Sequence, residues 1–171
     1  MNKTQKGFTL VELVITIVIV AILSIVSVPM YQHYVERARL TEAISILRTI
    51  ADANTMYFME RGRWCDDIRE LPVQLEGEII SADGAWRIQN KNFIYACVGE
   101  ESDDTIATVN RAPYHGRYWI SMRAATGRYG DTPQLGNYGL FGNVYPSSPH
   151  KEFDKGLVEY YQNKFKKANW S

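Results

Sequence analysis

The sequence has no excess of charge of either sign: 19 lysines and arginines stand against 19 aspartates and glutamates in 171 residues. That balance excludes a broad basic field of the kind that holds a chain on nucleic acid, so no nucleic-acid partner is expected. Cysteine is scarce. Cys65 and Cys97 are separated by 31 residues, with no CxxC and no Cys/His spacing suited to zinc. His33, His115 and His150 are scattered, so neither a metal nor a cofactor is expected. A nucleophile elbow, a P-loop, a dinucleotide-binding glycine loop and an HExxH pair are all missing, and no spacing of serines and acids picks out a triad. Nothing in the residues points to an enzyme. Repeats of solenoid type are absent as well. With 46% hydrophobic residues the bulk of the chain is not disordered, and its length suits one domain or one domain with an appendage.

One further absence is local. Residues 13–30 contain no charged side chain and are mostly aliphatic. Eighteen residues at the helical rise cover about 27 Å, close to the hydrocarbon thickness of a bilayer. A core helix of a soluble domain keeps a polar face, and this run has none. A cleaved secretory signal is the rival reading, with a basic start and with Ser24 and Ser27 as small residues. Against it, the run is long and Pro29 follows closely.

At the edge of this run stands Glu12. A carboxylate in the bilayer costs about 2.5–3.5 kcal/mol on insertion scales, less near the boundary. Two partners are physically sensible. One is the positive end of a helix that starts near Phe8. The other is an α-amine exposed at Phe8 by cleavage between Gly7 and Phe8. A third reading leaves Glu12 as a marker of the lipid–water boundary.

The stretch Lys6-Gly7-Phe8-Thr9-Leu10-Val11-Glu12-Leu13, followed by the aliphatic run and Pro29, resembles the N-terminal signal of type IV prepilins and type II secretion pseudopilins. The motif Gly–Phe–Thr–Leu–x–Glu is matched at every fixed position over residues 6–30, and the resemblance continues more loosely to about residue 64. It implies removal of residues 1–7 by a prepilin peptidase in the inner membrane and N-methylation of Phe8. It implies that Glu12 attracts the amino terminus of a neighbouring subunit during assembly. Loss of Lys3 and Lys6 would leave 17 basic against 19 acidic side chains, a net charge of −2. Pro29 within a helix would remove one hydrogen bond and produce a kink rather than an end, because helix-compatible sequence follows it.

Residues 31–61 read as an amphipathic helix. Leu40, Ala43 and Ile44, Leu47, Ile50 and Ala51, and Tyr57 and Phe58 recur at three-four spacing, with Asn54 as the one break. Arg37, Glu42, Arg48 and Asp52 mark the other face, and Gly62 is the expected stop. Together with the resemblance this gives one long helix from about Phe8. Strands are expected at residues 86–89, 93–98, 105–110 and 118–123, and at 140–145, with turns at 90–92 and 99–104. Glu100, Glu101, Asp103 and Asp104 in the second turn read as solvated acids rather than calcium ligands. Residues 124–150 read as a long surface loop, and a short helix follows with Phe153, Leu157, Tyr160 or Tyr161, and Phe165 on its apolar side. The triplets at 62–64, 116–118 and 127–129, each Gly-Arg-aromatic, read as turns leading into strands. The basic end with Lys164, Lys166, Lys167 and Trp170 reads as a solvated helix terminus.

The expectation is an α+β protein: a leader at 1–7, a transmembrane and assembly segment at 8–30, an amphipathic half-helix at 31–62, and a periplasmic or extracellular β-rich head at 63–171. The long kinked helix packs on an antiparallel sheet. Export would favour a Cys65–Cys97 disulfide between helix exit and sheet. The expected function is that of a structural subunit of a type IV pilus-like filament. Its partners are further copies of itself or other pilins, a prepilin peptidase, an inner-membrane assembly platform and, before assembly, the lipid bilayer. Its locations are the bacterial inner membrane and then a surface pilus. The alternatives are a pseudopilin in a periplasmic secretion piston and, more distantly, a single-pass anchored periplasmic binding protein or enzyme.

Overall fold

The computed structural model of the chain describes residues 7–82, 84–98, 105–111, 117–124 and 138–169. The leader up to Lys6, the acidic turn at 99–104, His115, Gly116, the triplet at 127–129 and Trp170 lie outside them. The chain divides into two units, Met1–Ala38 and Arg39–Ser171.

The helix α1 runs over Leu10–Arg61 and contains Pro29. Proline therefore does not end it. Through residue 34 every described side chain is exposed, including Leu13, Ile17, Val20 and Leu23. This is the one helix among the described residues long and apolar enough to cross a membrane. From residue 40 the pattern changes. Leu40, Ala43, Ile44, Leu47, Ile50, Ala51 and Tyr57 are buried, while Glu42 and Arg48 face solvent. The three-four spacing alone places those apolar side chains on one face. At its end Gly62 takes φ +71° and donates its N–H to the Phe58 carbonyl at 2.8 Å, the glycine stop that the sequence signals.

Beyond α1, the described residues form a 3-10 turn at Ile68–Glu70 and six strands: β1 Glu78–Ala82, β2 Ala85–Gln89, β3 Phe93–Cys97, β4 Thr105–Arg111, β5 Tyr118–Ala124 and β6 Tyr138–Val144. They form one antiparallel sheet in the order β1-β2-β3-β4-β5-β6. The helix α2, Lys151–Asn169, closes the chain. Five strands coincide with the expected ones to within two residues. The turn at 90–92 is held by Asn90, whose Oδ1 accepts the N–H groups of Asn92 (2.9 Å) and Phe93 (2.7 Å).

Three expectations need correction. β1 was not anticipated, because Glu78 and Ser81 flank only two isoleucines. The dipeptide Asp83-Gly84 was the available hairpin signal; Ala82 pairs with Ala85, and Gly84 adopts φ +76°. The loop expected over 124–150 gives way to β6, the strand expected at 140–145, which begins two residues earlier at Tyr138. Gly142 needs to be glycine: a Cβ there would lie 2.6 Å from the Trp119 carbonyl oxygen and 3.1 Å from Val158 on α2. The final helix spans 19 residues, longer than the short helix expected, with Gly156 on its exposed side.

One side of the sheet carries Ile88, Tyr95, Val109 and Ile120, cross-strand neighbours in register. These join the buried residues of α1 from Leu40 onward and Leu157, Val158 and Tyr161 of α2 in a single core. The long helix thus packs on the sheet through the part that begins at Arg39. Thr41 and Tyr161 share a hydrogen bond between their hydroxyls, tying α1 to α2.

Candidate assembly site and the buried cysteine pair

At the start of α1, Gly7, Phe8 and Thr9 precede the helix and Thr9 caps it. The Thr9 N–H donates to Glu12 Oε2 at 2.9 Å, and the Thr9 hydroxyl donates to the same oxygen at 2.8 Å. In return the Glu12 N–H donates to Thr9 Oγ1 at 3.3 Å. This is a reciprocal capping box, with threonine at N-cap and glutamate at the third helical position. The spacing Thr-x-x-Glu was legible in the sequence but was not used there. The cap sets the surroundings of Glu12 in a single copy of the chain. The carboxylate already accepts two hydrogen bonds, yet these leave its negative charge uncancelled. Phe8 is 88% exposed beside it. The Gly7–Phe8 peptide lies outside the helix, in backbone without regular structure.

A second cluster ties the end of α1 to the sheet. Asn54, the break in the apolar stripe, is fully buried. Its Oδ1 accepts the Cys65 N–H at 2.8 Å, and its Nδ2 donates to the Cys65 carbonyl at 3.3 Å and the Val98 carbonyl at 3.5 Å. Asparagine is thus the polar residue that lets the chain turn back under the helix without orphaned backbone groups. Those bonds bring Cys65 against Cys97 of β3. The sulfurs are 3.9 Å apart, both side chains are buried, no disulfide joins them, and the Cys65 thiol donates to the Asp67 carbonyl. Burial pushes both thiols above the ordinary cysteine range, Cys97 the more strongly. Burial likewise pushes the Tyr95 phenol up to about 12.

Two of the Gly-Arg-aromatic segments fall at least partly among the described residues, and their arginines and rings have partners within the fold. Trp64 packs on Phe58 with ring centroids 4.5 Å apart, and Arg63 pairs with Glu70 at 3.6 Å. Arg117 forms an ion pair with Asp154, which is fully buried and also accepts a hydrogen bond from the Ser148 hydroxyl. That pair joins the start of β5 to the first turn of α2, and sequence reasoning missed it because the partners are 37 residues apart. Among the described residues no three His, Cys, Asp or Glu side chains are grouped to hold a metal ion.

Residues 2–28 match the family model described as the prokaryotic N-terminal methylation motif. The chain is 48% identical over 85 residues to a type IV major pilin protein PilE1 of Neisseria gonorrhoeae, a match covering 47% of this chain and 52% of that protein. It is 43% identical over 79 residues to a fimbrial protein of Neisseria meningitidis serogroup B, covering 46% of each. A fimbrial protein of Pseudomonas aeruginosa is 44% identical over 54 residues, covering 30% of this chain and 35% of that protein. The chain spans about half the length of the curated relatives it matches. No solved structure matches it. A long N-terminal helix packed on an antiparallel sheet is a pilin-like α+β architecture. Over the part of the chain that the motif and these relatives span, it is similar to type IV major pilin and fimbrial proteins.

Proposed function

We propose that the chain is a structural, non-enzymatic subunit of a type IV pilus-like filament. Residues 1–7 are its leader, cleaved between Gly7 and Phe8 by a prepilin peptidase, and the new amine of Phe8 is then methylated. Residues 8–30 anchor the precursor in the inner membrane and become the filament's helical spine, residues 31–62 are the amphipathic half-helix, and residues 63–171 form the head. The observation that carries this reading is the methylation motif opening a helix whose aliphatic side chains are exposed on all sides, with one acid at its start.

An exposed hydrocarbon cylinder has two stable surroundings, lipid tails or other copies of itself. Moving from the first to the second is where Glu12 acts. In a bundle, the amine at Phe8 of one subunit and the Glu12 carboxylate of the next are opposite charges in a medium of low dielectric constant. Opposite unit charges about 4 Å apart attract by about 4 kcal/mol at an effective dielectric constant of about 20. Cleavage creates one partner of this pair, so uncleaved precursor stays in the membrane. Assembly on an inner-membrane platform then yields a surface pilus of this chain, alone or mixed with other pilins. Pro29 provides a point where the helix bends or unwinds as subunits pack. A Cys65–Cys97 disulfide, formed after export when a disulfide-bearing oxidant of the periplasm takes up the two electrons and two protons of the thiols, fastens the helix exit to β3 across the 3.9 Å gap between the sulfurs.

Intact-mass measurement of the protein purified from cells tests the reading. The expected species lacks residues 1–7 and carries one added methyl group at Phe8. A protein that still begins at Met1, or one cut near Ser27, overturns it.

A further inference from the structure

The far end of the exposed apolar run carries a feature that the assembly reading does not use. Tyr31 and Tyr34 sit three residues apart on α1, hence on one face, and are 70% and 64% exposed. They follow Val28 and Met30, the last aliphatic residues of the run, which are themselves about half exposed. Between Glu12 and Glu36 there is no Asp, Glu, Lys or Arg. From Glu12 to Tyr31 and Tyr34 is 19 and 22 residues. At about 1.5 Å per residue those separations are about 28 and 33 Å, which bracket the roughly 30 Å thickness of a bilayer's hydrocarbon core.

The geometry points to Tyr31 and Tyr34 as an interfacial girdle that binds the phospholipid headgroup region and sets the depth of the precursor in the membrane. The inference rests on the membrane-anchored reading proposed above and adds its register. A phenol has an apolar ring and a polar tip, so it is most stable where tails meet headgroups, and aromatic side chains collect there for that reason. With the tyrosines held at one boundary, the helix length delivers Glu12 to the other. The carboxylate and, once cleavage exposes it, the neighbouring Phe8 amine then remain within reach of water. An anchor sunk deeper by one turn would drag Glu12 into hydrocarbon or leave the tyrosines without headgroups. Depth is therefore a property on which charge pairing between subunits depends.

The test uses the full chain reconstituted in vesicles of phosphatidylethanolamine and phosphatidylglycerol. Tyr31→Trp, Tyr34→Trp and Ile22→Trp are made separately, and tryptophan emission is quenched by lipids brominated either near the headgroup or near the chain end. The native tryptophans, at 64, 86, 119 and 170, all follow residue 62, and the unsubstituted chain supplies their background. Tyr31→Trp and Tyr34→Trp are expected to be quenched more by the shallow bromines, with emission intermediate between water and hydrocarbon. Ile22→Trp is expected to be quenched more by the deep ones. If Ile22→Trp is quenched deeply but the residue 31 and 34 variants are quenched equally deeply, or not at all, the girdle is overturned while the anchor stands. If Ile22→Trp is not quenched either, the anchored reading itself fails and the girdle with it. A double Tyr31→Ala, Tyr34→Ala change should shift the depth of Ile22→Trp; an unchanged quenching ratio would also refute the assignment of depth control to these rings.

Discussion

Replacing Glu12 with glutamine separates the capping role of its carboxylate from the charge pairing proposed for it. As the third residue of a capping box, Glu12 accepts the N–H and hydroxyl of Thr9 at 2.9 and 2.8 Å. Glutamine can accept the same bonds and is the other residue favoured at this place. What glutamine lacks is charge. Loss of an N-terminal cap costs about 0.5–2 kcal/mol. Loss of a charge pair in a filament core costs about 4 kcal/mol by the Coulomb estimate at an effective dielectric constant near 20. That is about a thousandfold in the equilibrium for adding a subunit, since about 1.4 kcal/mol is a factor of ten. Glu12→Gln should therefore insert in the membrane, keep its helix start at Leu10, and yield almost no filaments. Thr9→Ala, which removes the hydroxyl but keeps the charge, should assemble with only a modest loss. The assay is the amount of sheared filament relative to membrane-bound subunit, with the helix start read from backbone chemical shifts in micelles. If Glu12→Gln assembles like the native chain while Glu12→Ala does not, hydrogen bonding and not charge is what assembly needs. Should all three variants assemble normally, Glu12 has no part in it.

Two further outcomes follow from the packing. Gly142→Ala forces a methyl group to within 2.6 Å of the Trp119 carbonyl and against Val158, so α2 must shift off β6; a loss of about 1–3 kcal/mol is expected in denaturant unfolding of the head, and an unchanged midpoint would refute the close approach. The cysteine pair makes the reduced protein sensitive to alkali. Burial raises the folded thiols, so as pH climbs past the ordinary thiol value of about 8.5 the unfolded chain loses protons first. Stability of the reduced form should then fall with rising pH, by up to about 1.4 kcal/mol per unit for Cys97, while the bridged form lacks this slope and is more stable by about 3–4 kcal/mol. Equal slopes for both forms in urea titrations between neutral and alkaline pH would contradict buried, adjacent thiols.

The features legible in the sequence were those whose cause is local. A run with no charge and no polar face reads as a lipid-compatible helix whatever follows it, and three-four spacing from Leu40 names the buried face of α1 before any partner is known. Gly62 stops the helix because only a residue without a Cβ enters that left-handed turn cheaply. Short β-rich runs between turn residues marked β2 to β5 and most of β6. They failed at β1, where two isoleucines stand among polar residues. The capping box was written in Thr9 and Glu12, yet its meaning was masked by the stronger question of the acid's charge.

The sequence by itself determined the anchor-like helix, its acid, the amphipathic continuation and most of the strands, because helix and strand periodicity and the cost of burying charge act between near neighbours. Tertiary structure alone decided why Asn54 interrupts the stripe, which carboxylate is buried with Arg117, and why Gly142 has no side chain. It also set the sulfurs of Cys65 and Cys97 3.9 Å apart. Each of those depends on sheet register and on chain segments returning from tens of residues away, and such contacts form only when a whole apolar face has closed over them.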